Sequence, residues 1–238
     1  INYLKIHSPI GCRDWDTMEL LNKAGIEAYF SGCLTLTLGN TYKCSDRSNK
    51  ILFVDPYFEF NKTITALLKY SFTLINNFKG INKISNSYYK NKKLTSLLKS
   101  ACFFNQYSKI FEKDLLVNGE YITKIKNDSD FKNENEKFEL ADSLLIKYSC
   151  AKLIITNRIH CALPALGMKT PVIFIENENQ SESSFCRLNG LRDLFNIINY
   201  NRGDLTPMFN FKENFISDKT EIFNKKDYLK LKENLETK

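Results

Sequence analysis

Two hydrophobic periods take turns along this chain. Residues 153–156 and 171–175 are short apolar runs rich in β-branched side chains, and residues 51–54 form a third. Runs of this kind fill buried parallel strands. Other segments carry apolar residues three and four positions apart, which is the helical period. Since strand-like and helix-like segments alternate, the pattern predicts an α/β protein with a Rossmann-like parallel sheet and helices on both of its faces.

The remaining elements are assigned by the same criteria. Asp16 and Glu19 resemble a capping box, which predicts a helix that begins there and ends at Gly25. Further strands are expected at residues 3–7, 28–30, 34–38 and 121–125, and further helices at 63–78, 94–117, 138–148, 187–197 and 225–236.

A short helix is predicted between the strands 153–156 and 171–175. Pro164 is expected in its first turn, and Gly167 in a left-handed position after its last turn. Arg158 and His160 then lie at the carboxyl end of a strand and the amino end of a helix. Ligands bind there in α/β proteins and anions are favoured, so the two side chains indicate an anionic substrate.

Two strings resemble the polysaccharide pyruvyl transferase family. Residues 156–175 (Thr-Asn-Arg-Ile-His-Cys-Ala-Leu-Pro-Ala-Leu-Gly-Met-Lys-Thr-Pro-Val-Ile-Phe-Ile) are similar to its C-terminal signature. Residues 9–17 (Pro-Ile-Gly-Cys-Arg-Asp-Trp-Asp-Thr), followed by 25–38, are similar to its Arg-Asp segment before the domain junction. The resemblance implies a fold like the C-terminal half of a GT-B-type two-domain protein.

The resemblance also implies a reaction and a set of residues. Phosphoenolpyruvate would donate its pyruvyl group to a saccharide or lipid-linked saccharide as a ketal, with release of phosphate. His160 would be the general acid or base, and Arg158, Arg13 and Ile159 would bind substrate. Arg187, after the loop that follows the second strand, is added as a further anion-binding residue. The chain departs from the family after that strand, because residues 177–182 contain no lysine.

A polar, turn-rich stretch at residues 39–49 predicts a boundary between domains. Residues 1–46 are interpreted as the C-terminal part of an incomplete N-terminal domain, and residues 47–238 as the Rossmann-like domain with the donor site. Because the chain starts at Ile1, almost directly in strand-like sequence, we expect it to be a fragment of a longer protein.

Charge and cysteine content narrow the function classes. The net charge is +7, but the lysines are interleaved with Asn and Glu, which favours a solvated surface over nucleic-acid binding and leaves peripheral contact with anionic membranes open. No run reaches the roughly 18 apolar residues of a membrane span, and no leader is visible, so a cytoplasmic location is expected. The seven cysteines have neither zinc nor redox spacing, which favours free thiols in a reducing compartment.

Three functional hypotheses stay open at this point. The leading one is the pyruvyl transferase, for which no metal and no cofactor is expected. The chain has no Gly-x-Gly-x-x-Gly and no Walker lysine, so dinucleotide or ATP binding lacks its phosphate loop. A GT-B-type nucleotide-sugar glycosyltransferase is the alternative, because a helix start with basic residues also suits a diphosphate. The third hypothesis is an inactive scaffold or binding protein.

Overall fold

The computed structural model describes residues 1–89, 93–123, 131–181 and 185–237, and its larger sheet has six strands. Neighbouring strands follow the order β4-β3-β5-β6-β7-β8, parallel from β4 to β7, and the short β8 closes antiparallel on β7. The predicted Rossmann-like parallel sheet is confirmed. The strands are β3 (Ile51–Val54), β4 (Glu120–Ile122), β5 (Leu153–Thr156), β6 (Val172–Asn177), β7 (Asn196–Asn201) and β8 (Asp204–Pro207).

The strand order reverses at one point in this sheet. β3 pairs with β4 on one side and with β5 on the other, so the chain crosses back over β3 between them. In doubly wound sheets a crevice opens outside the carboxyl ends of the strands at such a point, and ligands bind in it. The residues that follow β3 and β5 are therefore the first to inspect for a site.

Helices cover both faces of the sheet and form two cores. Alternate residues of each strand point to opposite faces, so Phe53 and Ile155 lie in one core and Leu52 and Ile154 in the other. None of the described helices is both long and apolar enough to cross a membrane. The helices are α1 (Asn2–Ile6), α2 (Trp15–Lys23), α3 (Ile64–Asn76), α4 (Phe78–Tyr88), α5 (Leu94–Tyr107), α6 (Lys113–Asn118), α7 (Glu134–Ser149), α8 (Ile159–Gly167) and α9 (Tyr228–Thr237).

The first 46 residues contain a separate, two-stranded parallel sheet. β1 (Ile10–Cys12) pairs with β2 (Ala28–Phe30), and α2 connects them. A 3₁₀ helix, Leu34–Asn40, then packs against α8 and places Leu36 in the same core as β5. The division into domains at residues 46 and 47 stays a prediction.

In helix α8, Pro164 and Gly167 do not occupy the positions predicted for them. Pro164 is its sixth residue rather than part of the first turn. Gly167 is the last helical residue, and a Cβ there would lie 2.4 Å from the backbone oxygen of Leu36. The glycine is therefore required for close packing against the 3₁₀ helix. The left-handed residue after α8 is Lys169, with φ of 62°.

Three predicted elements are wrong. Residues 3–6 lie in the exposed helix α1 and His7 follows it, instead of forming a strand, because an alternation this short does not distinguish the two periods. Residues 34–38 form the 3₁₀ helix, since docking on α8 buries only Leu36. Residues 187–197 do not form an α-helix: Gly190 has φ of +85° and ends a turn, a short 3₁₀ helix covers Arg192–Leu194, and Asn196 already begins strand β7.

Two further predictions are corrected in part. The helix predicted at 94–117 is divided into α5 and α6, and Phe111 in the break bridges to Ile216. The strand predicted at 121–125 is present as β4, although residues 124 and 125 lie outside the described residues.

The cysteines are not all free thiols, contrary to the expectation from their spacing. Cys44 and Cys150 form a disulfide with their Cα atoms 5.3 Å apart. The two residues are separated by 106 positions, so only the tertiary fold brings them together. The five other cysteines, all within the described ranges, form no disulfide.

Candidate functional site

One cavity collects every residue that the sequence indicated for the site. It measures about 280 Å³ and opens at the carboxyl ends of β5 and β6. Its walls come from three separate parts of the chain, which the sheet and the small N-terminal unit bring together. The lining residues are Arg13, Asn157, Arg158, Ile159, His160, Gln180, Arg187 and Leu188.

The corner between β5 and α8 forms the floor of this cavity. Arg158 precedes the first helical turn, and its backbone N–H donates to Thr156 Oγ1 at 3.0 Å. The Thr156 hydroxyl in turn donates to the Val54 carbonyl at 2.7 Å, which ties the corner to β3. Ile159 and His160 are the first two helical residues, where backbone N–H groups have no partner within the helix. The helix therefore presents its positive end to the cavity.

Arg13 enters from the opposite side, directly after β1. Asp14 caps α2, accepting a hydrogen bond of 2.8 Å from the Thr17 N–H, so the predicted cap at Asp16 is wrong by two residues. Asp16 instead accepts from the Asn189 side chain at 2.8 Å. The Arg13 turn is thus fastened to the loop that carries Arg187.

A tight contact fixes that loop further. Gly190 has a positive φ of 85°, and a Cβ there would lie 2.9 Å from Trp15 Nε1. The Trp15 ring packs edge-on against Phe30 at 5.8 Å, and its backbone N–H donates to the Asn189 carbonyl. A side chain at position 190 would push the two walls of the cavity apart.

The cavity has a strongly positive lining. Arg13, Arg158 and Arg187 contribute three guanidinium groups, and no carboxylate lines it among the described residues. The nearest acid to Arg158 is Asp55, whose Oδ2 lies 3.6 Å from Nε and which is only 4% exposed. Three cations around a helix amino end favour an anionic ligand.

The family's lysine after the second strand has no counterpart here. Gln180 lines the cavity in that region, so a neutral amide stands where a cation is expected. Residue 182 of the same stretch lies outside the described residues. Arg187, from the next loop, is the basic residue that the structure places at the cavity in this region.

Sequence reasoning missed Asn157, Gln180, Leu188 and Asp55. Asn157 and Asp55 each follow a buried strand directly, and that position was a usable signal. Asn157 Oδ1 is also buried with no hydrogen-bond partner. Gln180 and Leu188 lie on loops whose path only the fold defines. No group of three His, Cys, Asp or Glu side chains able to hold a metal occurs within the described ranges.

The fold and the cavity together define a doubly wound α/β protein with a positively charged cavity at the carboxyl ends of its strands. The family model of polysaccharide pyruvyl transferase matches residues 2–179, a span that contains Arg13, Arg158 and His160. The chain belongs to that family, and it is a transferase that acts on a saccharide. Searches of the curated proteins and of the solved structures give no match.

Proposed function

We propose that this protein transfers the pyruvyl group of phosphoenolpyruvate to two hydroxyls of a saccharide, forming a ketal and releasing phosphate. One observation carries the proposal: three arginines and a histidine surround one small cavity at the amino end of α8. The donor offers a carboxylate and a phosphate close together, and guanidinium groups bind both of these bidentately.

The size and the charge of the cavity suit this donor. A phosphomonoester and a carboxylate together carry a charge of about −2.5 to −3 at neutral pH, which three arginines offset. The volume of about 280 Å³ lies just below the range of about 300–1,000 Å³ for sites of drug-sized ligands. A compact donor therefore fits better than a nucleotide sugar.

The proton balance of the reaction assigns work to His160. Both saccharide hydroxyls lose their protons; one proton is gained by the methylene carbon of the donor, and the other leaves with the phosphate. Two C–O bonds form at the central carbon while its bond to the phosphate oxygen breaks and its double bond to the methylene carbon becomes the single bond of a methyl group. An imidazole titrates near neutral pH and can pass a proton between these positions. His160 lines the cavity and is exposed to it, as this role requires.

Asn157 supports a hydroxyl-bearing second substrate. It lines the cavity, and its side-chain amide offers both a donor and an acceptor where the charged arginines offer donors only. An amide of this kind suits a sugar hydroxyl, which also donates and accepts. We propose that the acceptor, a saccharide or lipid-linked saccharide, approaches on this side of the donor.

The assay is phosphate release from phosphoenolpyruvate with a panel of saccharides, in the presence of a chelator. We expect release that depends on the saccharide, and a product carrying an acid-labile carboxylated ketal. Thermal shift with phosphoenolpyruvate and with nucleoside diphosphates detects the donor even when the acceptor is unsuitable. Stabilisation by a nucleoside diphosphate without any from phosphoenolpyruvate would favour the glycosyltransferase and contradict the proposal.

A further inference from the structure

Asp55 is a buried acid at the point where the strand order reverses. Asp55 is the first residue after β3, and Arg158 is the second residue after β5. The two strands are neighbours in the sheet, so both residues lie at the same edge. The Asp55 backbone is left-handed, with φ of 41°, a conformation that residues other than glycine adopt rarely. Such conformations persist where the surroundings impose them, and they cluster at functional sites.

The Asp55 carboxylate joins a residue of the cavity to a residue of the opposite layer. Oδ2 lies 3.6 Å from Arg158 Nε, and Oδ1 accepts a hydrogen bond of 3.2 Å from the Tyr88 hydroxyl. Burial, and next the negative charge of Asp55, raise the pKa of Tyr88, so the phenol stays a donor. The carboxylate is 4% exposed, whereas the Arg158 side chain is 49% exposed.

We propose that Asp55 is a positioning residue for Arg158 in the pyruvyl transfer, an inference that rests on the proposed function. The contact engages Nε, at the side of the guanidinium, and the described residues offer the two terminal nitrogens no carboxylate partner. The fork of the arginine is thereby held toward the cavity before the donor arrives. Fixing a long side chain in advance removes an entropic cost from binding.

A role in stability alone does not account for this arrangement. The arginine is half exposed, and ion pairs with an exposed partner contribute little to folding. Burying a carboxylate is itself unfavourable. If the charge of Asp55 were its only effect, that charge would weaken the binding of an anion, and removing it would tighten binding. A positioning role predicts the opposite, namely that removing the carboxylate weakens binding.

The test is Asp55→Asn, which removes the charge but suits the backbone, because asparagine adopts the left-handed conformation readily. We expect the KM for phosphoenolpyruvate to rise about tenfold, with a smaller change in kcat and an unchanged Tm. A factor of about ten corresponds to the loss of one charge-assisted hydrogen bond between Arg158 and the donor. The matched control is Asp142→Asn, which removes the charge of a carboxylate that accepts a hydrogen bond of 2.6 Å from the Tyr42 hydroxyl. Asp142 does not line the cavity, so this variant should leave KM unchanged.

A double-mutant cycle separates positioning from other effects. In an Arg158→Ala background, Asp55→Asn should have no further effect on KM, because the residue acts through the arginine. Tyr88→Phe keeps the Asp55 carboxylate and removes the hydroxyl that donates to it, and it is expected to raise KM by about threefold. This variant replaces Asp55→Asn in the test if Asp55→Asn does not fold.

The outcomes divide cleanly. If the unaltered protein does not bind phosphoenolpyruvate, the proposed function is wrong and this inference goes with it. If the unaltered protein binds the donor and Asp55→Asn binds it equally well or more tightly, only the positioning role is overturned. Additive losses in the double mutant would overturn it as well.

Discussion

The two ends of the strands in the large sheet carry cavities of opposite character. The cavity at the amino ends is the larger, about 810 Å³, and it is lined by Glu112, Asp114, Glu120 and Asp218 together with two lysines. The cavity at the carboxyl ends measures about 280 Å³ and has three arginines and no lining carboxylate among the described residues. Size alone would select the amino ends of the strands, whereas the positive lining favours the carboxyl ends.

The polarity of a parallel sheet explains this contrast. Helix amino ends meet the carboxyl ends of the strands, so backbone N–H groups and helix dipoles add to the arginines there. At the other end, charges of both signs occur together: Glu120 pairs with Lys147 and, at 3.7 Å, with Lys50, and the four lining carboxylates outnumber the two lining lysines. The sign of the uncompensated charge therefore identifies the anion site better than its volume.

The largest expected effect is a loss of turnover on substitution of a residue that lines the carboxyl-end cavity, with no such loss at the amino-end cavity. His160→Ala should lower kcat by about 10²–10⁴-fold, the usual contribution of a general acid or base. Its Tm should stay close to that of the unaltered protein, because the exposed imidazole contributes little packing. Initial rates of phosphate release and a thermal melt measure the two quantities.

Two controls accompany this variant. His7→Ala removes the other histidine, which directly follows the exposed helix α1 and packs at a tilt against the Tyr3 ring. Asp218→Asn alters the amino-end cavity and should change stability by less than about 0.5 kcal/mol, as surface substitutions do. A loss of turnover in Asp218→Asn comparable to that in His160→Ala would break the distinction between the two cavities.

The next effect concerns geometry at constant charge. Arg158→Lys should lower kcat/KM for the donor by about 10- to 100-fold, because an ammonium group is a point charge and cannot form the planar two-bond contact of a guanidinium. The control is Arg202→Lys, an exposed turn residue outside the cavity lining. Equal activity of Arg158→Lys and the unaltered protein would show that only the charge of this residue matters.

The smallest effect is a gain. Gln180→Lys restores a cation in the region where the family resemblance implies a lysine, and it should tighten phosphoenolpyruvate binding about three- to fivefold at low salt, with less effect at high salt. Asn118→Lys adds the same charge to the amino-end cavity and should leave donor affinity unchanged. Equal gains in both variants, measured by calorimetry, would mean that overall charge and not the local site attracts the donor.

Prediction from the sequence succeeded where structure is local. The strands β3 and β5 and the helix α8 lie where their apolar runs and breaks predicted. Prediction was poor where a segment is so short that its apolar residues fit both the strand period and the helical period. Residues 34–38 alternate like a strand, yet contact with α8 turns them into a 3₁₀ helix with Leu36 buried.

The candidate site divides along the same line. Arg158 and His160 were predictable because both follow from a strand end and a helix start that lie next to each other in the chain. Arg13 and Arg187 were named from the sequence, but no local pattern placed them at the same cavity. Hydrogen bonds between the Trp15 turn and Asn189 do that.

The amino-acid sequence by itself determined the alternation of strands and helices, the polarity of the sheet and the corner that carries Arg158 and His160, because hydrophobic period and chain breaks act over a few residues. Only the tertiary structure decided that Cys44 meets Cys150, that Gly167 accommodates the backbone of Leu36, and that a buried carboxylate stands behind an arginine. Those contacts join residues about 100 positions or more apart, and their geometry depends on how whole layers pack, which no local period encodes.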